Sequence, residues 1–217
     1  MPCYNTAGGI EAATLMAPAE AVRVIGMKQE PLTLRRWERV EYERLVDLGA
    51  FEGDAVELIG GHLIVAEPHG TYHASSISAV DYAVRAALPP GWIVRVQLPM
   101  SLGDDSVPEP DLAVVQGRPA DYREAHPAGA ALVVEVAESS LHFDRRDKGG
   151  LYARSAILDY WIVNVADRVV EVYRDPVPDG TAVYGWRYRS VTTLRAPDVA
   201  IPLAFSSSAI AVADLLP

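Results

Sequence analysis

Two carboxylates and a lysine carry the chemistry that this sequence offers. Glu135 sits in "ALVVEVAESS" (residues 131–140), with four apolar residues before it and two after. Such a run reads as a strand buried on both faces, where an ionised carboxylate is costly unless it is paired, protonated or bound to a cation. Asp111 follows Pro110 in "VPEPDLAVV" and opens the preceding apolar run. If the two runs are antiparallel neighbours, the start of one lies beside the end of the other, and Asp111 meets Glu135 at one end of the sheet. Two acids that close repel unless a cation sits between them. A hard divalent ion such as Mg²⁺, for which Mn²⁺ can substitute, takes oxygen ligands and keeps several waters. Asp111, Glu135 and a strand carbonyl, that of Val136, would suit it. In "FDRRDKGGLYARS", Asp144, Lys148 and Tyr152 are spaced by four and share a helix face. A lysine beside a metal site can orient water or balance a phosphate's charge.

These residues also have plainer readings. Asp111 after proline is a common turn residue. Glu135 could be paired structurally with Arg95, and Lys148 alone reads as a solvated helix lysine. His62, His69, His126 and His142 lack zinc-site spacing, with Cys3 isolated near the terminus. No GxxxxGK[ST] phosphate loop and no GxSxG elbow is present.

The elements that must position these groups follow from pattern. Residues 1–30 are rich in small residues without periodicity and read as a loose N-terminal arm; 31–217 read as a single domain. "LTLRRWERVEYERLVDLGAF" predicts a helix with Thr33 as N-cap and Gly49 as stop. "AVELIGGHLIVAE" predicts a hairpin turning at Gly60-Gly61. "TYHASSISAVDYAVRAALPPG" predicts a helix whose apolar face is Ile77, Val80, Val84 and Leu88, ended by Pro89-Pro90. Three strands follow ("WIVRVQLPM", "DLAVVQ", "ALVVEVA"), then a helix capped by Asp144, the strands "DYWIVNV" and "VVEVYR", a strand-like "GWRYRSV" and a short terminal helix near "SAIAVADLL". Helices alternating with strands argue for an α/β layered fold, a central mixed sheet flanked by helices.

Composition narrows the function. The net charge of −10 over 217 residues argues against attachment to nucleic acid by bulk charge, yet leaves room for a locally basic or cation-assisted site. One cysteine forbids an internal disulfide and suits a cytoplasmic protein. No apolar run approaches the roughly 18 residues of a membrane span, and the first residues do not read as a signal peptide.

Taken together, "ELIGGHLIV", a helix bearing His73, "VPEPDLAVV", "LVVEVAESS", Asp144…Lys148…Tyr152 and "DYWIVNVADRVVEVYR" resemble, over residues 31–200, the Uma-type restriction-endonuclease family of the PD-(D/E)XK nuclease superfamily. The resemblance implies a restriction-endonuclease-like fold with an αβββαβ core and Mg²⁺-dependent cleavage of DNA. It carries the family's carboxylates onto Asp111 and Glu135, its lysine onto Lys148 and an accessory acid onto Glu57. His73 and Tyr152 are further candidates for the site. The superfamily pattern departs at Ala137, where it would place a lysine; Lys148 on the following helix supplies that charge. Gly149-Gly150 within that helix, each costing roughly 1 kcal/mol against Ala, demand either an irregular turn or a close approach of other atoms. A homodimer would let two sites address two DNA strands. Two other functions fit parts of the pattern: a non-catalytic interaction module on the same fold, and an acid/base pair acting on a sugar.

Overall fold

The computed structural model describes residues 34–65 and 70–217, of which 35–217 form one compact unit. The arm at 1–30, the Thr33 cap, Cys3 and His69 lie outside the described residues.

Helix α1 spans Arg39–Asp47, shorter than the sequence pattern suggests. It begins where Glu41 Oε2 accepts the N–H of Glu38 at 3.1 Å, satisfying a donor that the first turn would leave unpaired. It stops at Gly49, whose φ of +71° is the left-handed conformation glycine supplies without strain. Strands β1 (Val56–Ile59) and β2 (His62–Val65) form the expected hairpin, with Gly60 and Gly61 both at positive φ in the turn. Helix α2 (Thr71–Ala87) buries Ile77, Val80 and Val84 and ends ahead of the two prolines.

The main sheet orders β3 (Trp92–Val96), β4 (Leu112–Gln116), β5 (Leu132–Ala137), β6 (Asp159–Asn164), β7 (Val169–Pro178) and β8 (Trp186–Leu194) side by side. All neighbours are antiparallel except β5 and β6, which run parallel and therefore need a helical crossover between them. That crossover is α3 (Leu141–Phe143), a π-helical turn (Asp144–Lys148) and α4 (Gly149–Arg154). β5 and β6 are buried along their whole length because both faces are covered, which is why their sequences are near-continuous apolar runs. On one face Val134, Val136, Trp161 and Val163 pack against α2 and the C-terminal Phe205, Val212 and Leu215. On the other, Val133, Ala137, Tyr160 and Ile162 pack against Leu151 and Tyr152 of the crossover. The result is the predicted mixed sheet between helical layers, in the expected order α2, β3, β4, β5, crossover helix, β6.

Two expectations are corrected. Asp144 is not a cap: the helix already starts at Leu141, and Asp144 opens the π turn. The terminal helix is a two-residue strand, β10 (Ile210–Ala211), paired with β9 (Val199–Ala200) and followed by a 3₁₀ turn at Val212–Leu215. The segment "SAIAVADLL" is too short for a stable α-helix, and its apolar residues are fixed by burial against α2 instead.

The crossover is fastened to the sheet by Glu171. Its buried carboxylate accepts from both Arg145 Nε (2.9 Å) and Arg145 Nη2, from Tyr173 (2.7 Å) and from Asn164 (3.3 Å). Burial alone would raise its pKa, but these donors hold it below the usual glutamate range. The stability it contributes is therefore present above the unfolded pKa of about 4.3 and is lost as pH falls through the lower, folded value. Glu171→Gln is expected to destabilise the protein at pH 7 and to make progressively less difference below pH 4, as read from urea melts of both proteins across that range.

Candidate active site

Asp111 immediately precedes β4 and Glu135 lies in β5; the register Leu112↔Val134 sets the two acids opposite each other. Alternation along β5 turns Glu135 toward the face that Val133 and Ala137 share, where the crossover helix lies. The backbone locks the pair: Val136 N–H donates to Asp111 Oδ2 at 2.8 Å, and Asp111 N–H donates to Glu135 Oε2 at 3.3 Å. Both residues are buried, at 7% and 3% exposure.

The crossover brings Lys148 and Tyr152 onto the same carboxylate. Lys148 Nζ lies 2.9 Å from Glu135 Oε1 and 3.5 Å from Glu57 Oε1. Tyr152 donates its hydroxyl to Glu135 Oε1 at 2.7 Å. Arg95, the alternative partner for Glu135, instead donates to the Pro99 carbonyl and stacks on Tyr122. Glu57 comes from the hairpin, which a bridge between Leu58 and Val107 ties to the β3–β4 connection; its second oxygen accepts the N–H of Glu109 at 3.0 Å. His73, in the first turn of α2, places Nε2 3.8 Å from Asp111 Oδ1. Asp111 beside it, and more distantly Glu138 and Asp144, raise its pKa against the opposing effect of burial.

Both explanations for the paired glycines hold. Gly149 donates its N–H to Asp144 O, five residues back, which is the π-helical bond, and Tyr160 donates its hydroxyl to the same carbonyl at 3.1 Å. A Cβ on Gly149 would stand 3.2 Å from that crowded oxygen. A Cβ on Gly150 would stand 3.3 Å from the Tyr184 ring and 3.5 Å from the Trp186 carbonyl. Gly150 lets the helix come close to Tyr184 and the start of β8.

All the predicted residues thus meet at one cleft of about 340 Å³ or in its wall. Glu57, His73, Asp111, Glu135, Val136 and Lys148 line it directly, and Tyr152 lies behind Glu135. Sequence reasoning missed Glu109 and Glu138, which also line it, as does Asp144, placed on the Lys148 helix face but not among the site residues. The signal for Glu109 was present: it lies two residues before Asp111 in a segment held extended by Pro108 and Pro110, so alternation puts the two on one side. Arg145, three residues before Lys148, is bound to Glu171.

Six acidic side chains line the cleft with one lysine ammonium, which leaves it short of positive charge. Burial, and then the neighbouring acids, push the carboxyl groups of Glu135 and Asp144 up, that of Asp144 to about 6. Burial and Glu57 also raise Glu109. Against its own burial cost, Glu135, Glu57 and Asp144 keep the Lys148 ammonium protonated. Among the described residues no group of three or more His, Cys, Asp or Glu side chains already stands around a metal-sized point. The donor set nevertheless fits a hard divalent cation: facing carboxylates, all-oxygen ligands, and a deficit of charge that such an ion would cancel.

The chain matches the family model Uma2, described as "Putative restriction endonuclease", over residues 39–213. It belongs to the Uma2 family. Of solved structures, it is similar to a "putative nuclease belonging to DUF820" from Anabaena variabilis, with a TM-score of 0.56 and 18% identity over 74% of this chain and 89% of that one. At that identity the likeness establishes the shared fold. No curated protein matches the chain. Within this Uma2 protein no described helix is long and apolar enough to cross a membrane.

Proposed function

We propose that this protein is an endonuclease that hydrolyses phosphodiester bonds in DNA with the help of Mg²⁺, Mn²⁺ being able to replace it. The observation that carries the reading is the facing pair Asp111 and Glu135 at the ends of adjacent strands, with the Lys148 ammonium 2.9 Å from Glu135 in the same cleft. Asp111 and Glu135, with the Val136 carbonyl, would hold the cation. Bound there, the cation would polarise the phosphate and make a coordinated water more acidic. The protein's own groups do the rest. The backbone N–H groups of Val136 and Asp111 hold Asp111 Oδ2 and Glu135 Oε2 in place at the strand ends. Lys148 would serve as a charge on the phosphate oxygens or a donor that orients water. Glu57 positions that ammonium, and His73 flanks Asp111 as a cationic or hydrogen-bonding neighbour.

The test is incubation of plasmid and linear DNA with the protein in Mg²⁺, Mn²⁺ or EDTA. Nicks or breaks that appear only with a divalent cation are expected; intact DNA under every condition would overturn the reading. The rival is a non-catalytic interaction module on the same fold, favoured by the ammonium that already occupies Glu135. Calorimetry separates the two, since a relic site would bind neither cation. A homodimer in the cytoplasm completes the proposal, the dimer because paired sites would reach both strands.

Tyr152 is a positioning residue in this scheme. Tyr152→Phe removes a hydrogen bond to a buried carboxylate, an interaction of about 1.5–3 kcal/mol. Cleavage is expected to fall about tenfold, the rate equivalent of about 1.4 kcal/mol. A merely structural role would lower the melting temperature and leave the rate per folded molecule unchanged.

A further inference from the structure

We infer that Lys148 is the cleft's resident counter-ion and competes with the divalent cation for Glu135, so that cation binding moves the ammonium off Glu135 toward Glu57 and Asp144. The inference rests on the cation site of the nuclease reading. Its geometric basis is that every oxygen of Glu135 is already engaged. Oε1 takes both Lys148 Nζ at 2.9 Å and the Tyr152 hydroxyl at 2.7 Å, while Oε2 takes the Asp111 N–H at 3.3 Å. The side chains of Lys148 and Glu135 are 9% and 4% exposed, so solvent does little to screen a second positive charge arriving beside the first.

A dication at Asp111 and Glu135 would repel the ammonium from Oε1. The ammonium has somewhere to go: Glu57 Oε1 is 3.5 Å from Nζ and Asp144 lines the same cleft. Lys148, the last residue of the π turn, keeps helical backbone dihedrals, so the exchange requires rotation of the side chain alone. One residue is then both a catalytic charge and a gate on cation affinity. Its two roles have opposite signs: removing the ammonium should harm cleavage and improve cation binding.

That sign is measurable without turnover. Mn²⁺ is titrated calorimetrically into wild type and Lys148→Met; the variant is expected to bind about tenfold more tightly, as expected when a like charge within 4–6 Å is removed. Equal or weaker binding by the folded variant would overturn the inference and mark Lys148 as an organiser of the site. A second measurement keeps the residue in place. The chain has two lysines, Lys28 and Lys148, so Lys28→Arg leaves Lys148 as the sole lysine. In such a protein labelled with ¹⁵N-lysine, the ammonium signal is expected to shift and exchange faster with water as Mg²⁺ is added. A signal that stays fixed while calorimetry shows the cation bound would overturn the inference. Absence of cation binding in wild type is a different failure, that of the nuclease reading itself.

Discussion

Asp111→Asn is expected to lower Mg²⁺-dependent DNA cleavage by about a hundred- to a thousandfold, the scale of losing one preorganised electrostatic group at a reacting centre. The substitution is nearly isosteric. The amide oxygen still accepts the Val136 N–H, so the strand ends remain tied. It also removes one acid from a cleft that Glu57, Glu109, Glu135, Glu138 and Asp144 line together with a single lysine. Stability is therefore expected to hold or rise while activity collapses, a combination that unfolding cannot produce. Parallel cleavage assays and melting curves in EDTA decide it. Wild-type cleavage by Asp111→Asn, and by the double variant with Glu135→Gln, would remove the facing acids from the mechanism.

Trp161→Ala is expected to destabilise the fold by about 3–5 kcal/mol, a large share of the roughly 5–15 kcal/mol by which such domains are stable. Trp161 is fully buried at the centre of β6, where it packs among Val134, Val136, Val163 and the C-terminal apolar residues. Its indole N–H donates to Asp159 Oδ1 at 2.8 Å. Truncation leaves both a large cavity and an acceptor short of one partner. Asp159 keeps Arg174 and the Leu203 N–H, so the loss falls mainly on packing. Urea unfolding of the two proteins measures it. A loss under about 1 kcal/mol would mean that the C-terminal segment collapses into the space, as small cavity costs do when a site can relax.

The sheet was legible because its strands are written as apolar runs bounded by Gly, Pro and Asp, and because antiparallel pairing alone makes Asp111 meet Glu135. The helix over the site was legible in its face but not in its pitch. Asp144, Lys148 and Tyr152 read as a regular i, i+4 stair, and the extra residue of the π turn leaves no mark except the two glycines that accompany it. Asp144 was read as a cap because aspartate favours helix starts; the structure begins that helix three residues earlier and turns the carboxylate into the cleft. The i, i+4 spacing gave the face it shares with Lys148, but which strand ends lie beneath that face is tertiary. Lys148 shows the converse. A lone helix lysine ordinarily points to water, and only the order of the surrounding motifs raised its rank; in the fold it is buried against Glu135 and Glu57.

The placement of that lysine has a consequence for how the site can change over time. An acid and a lysine two residues apart on one strand would have their separation dictated by covalent geometry. Here Ala137 occupies that strand position, and the charge arrives from a helix whose height above the sheet depends on Gly150 resting against Tyr184 and the Trp186 carbonyl. The distance between ammonium and carboxylate is thus adjustable from the far end of the chain. A substitution at Tyr184 is therefore expected to shift that helix while every cleft residue stays the same, a freedom that a strand-borne lysine would not have.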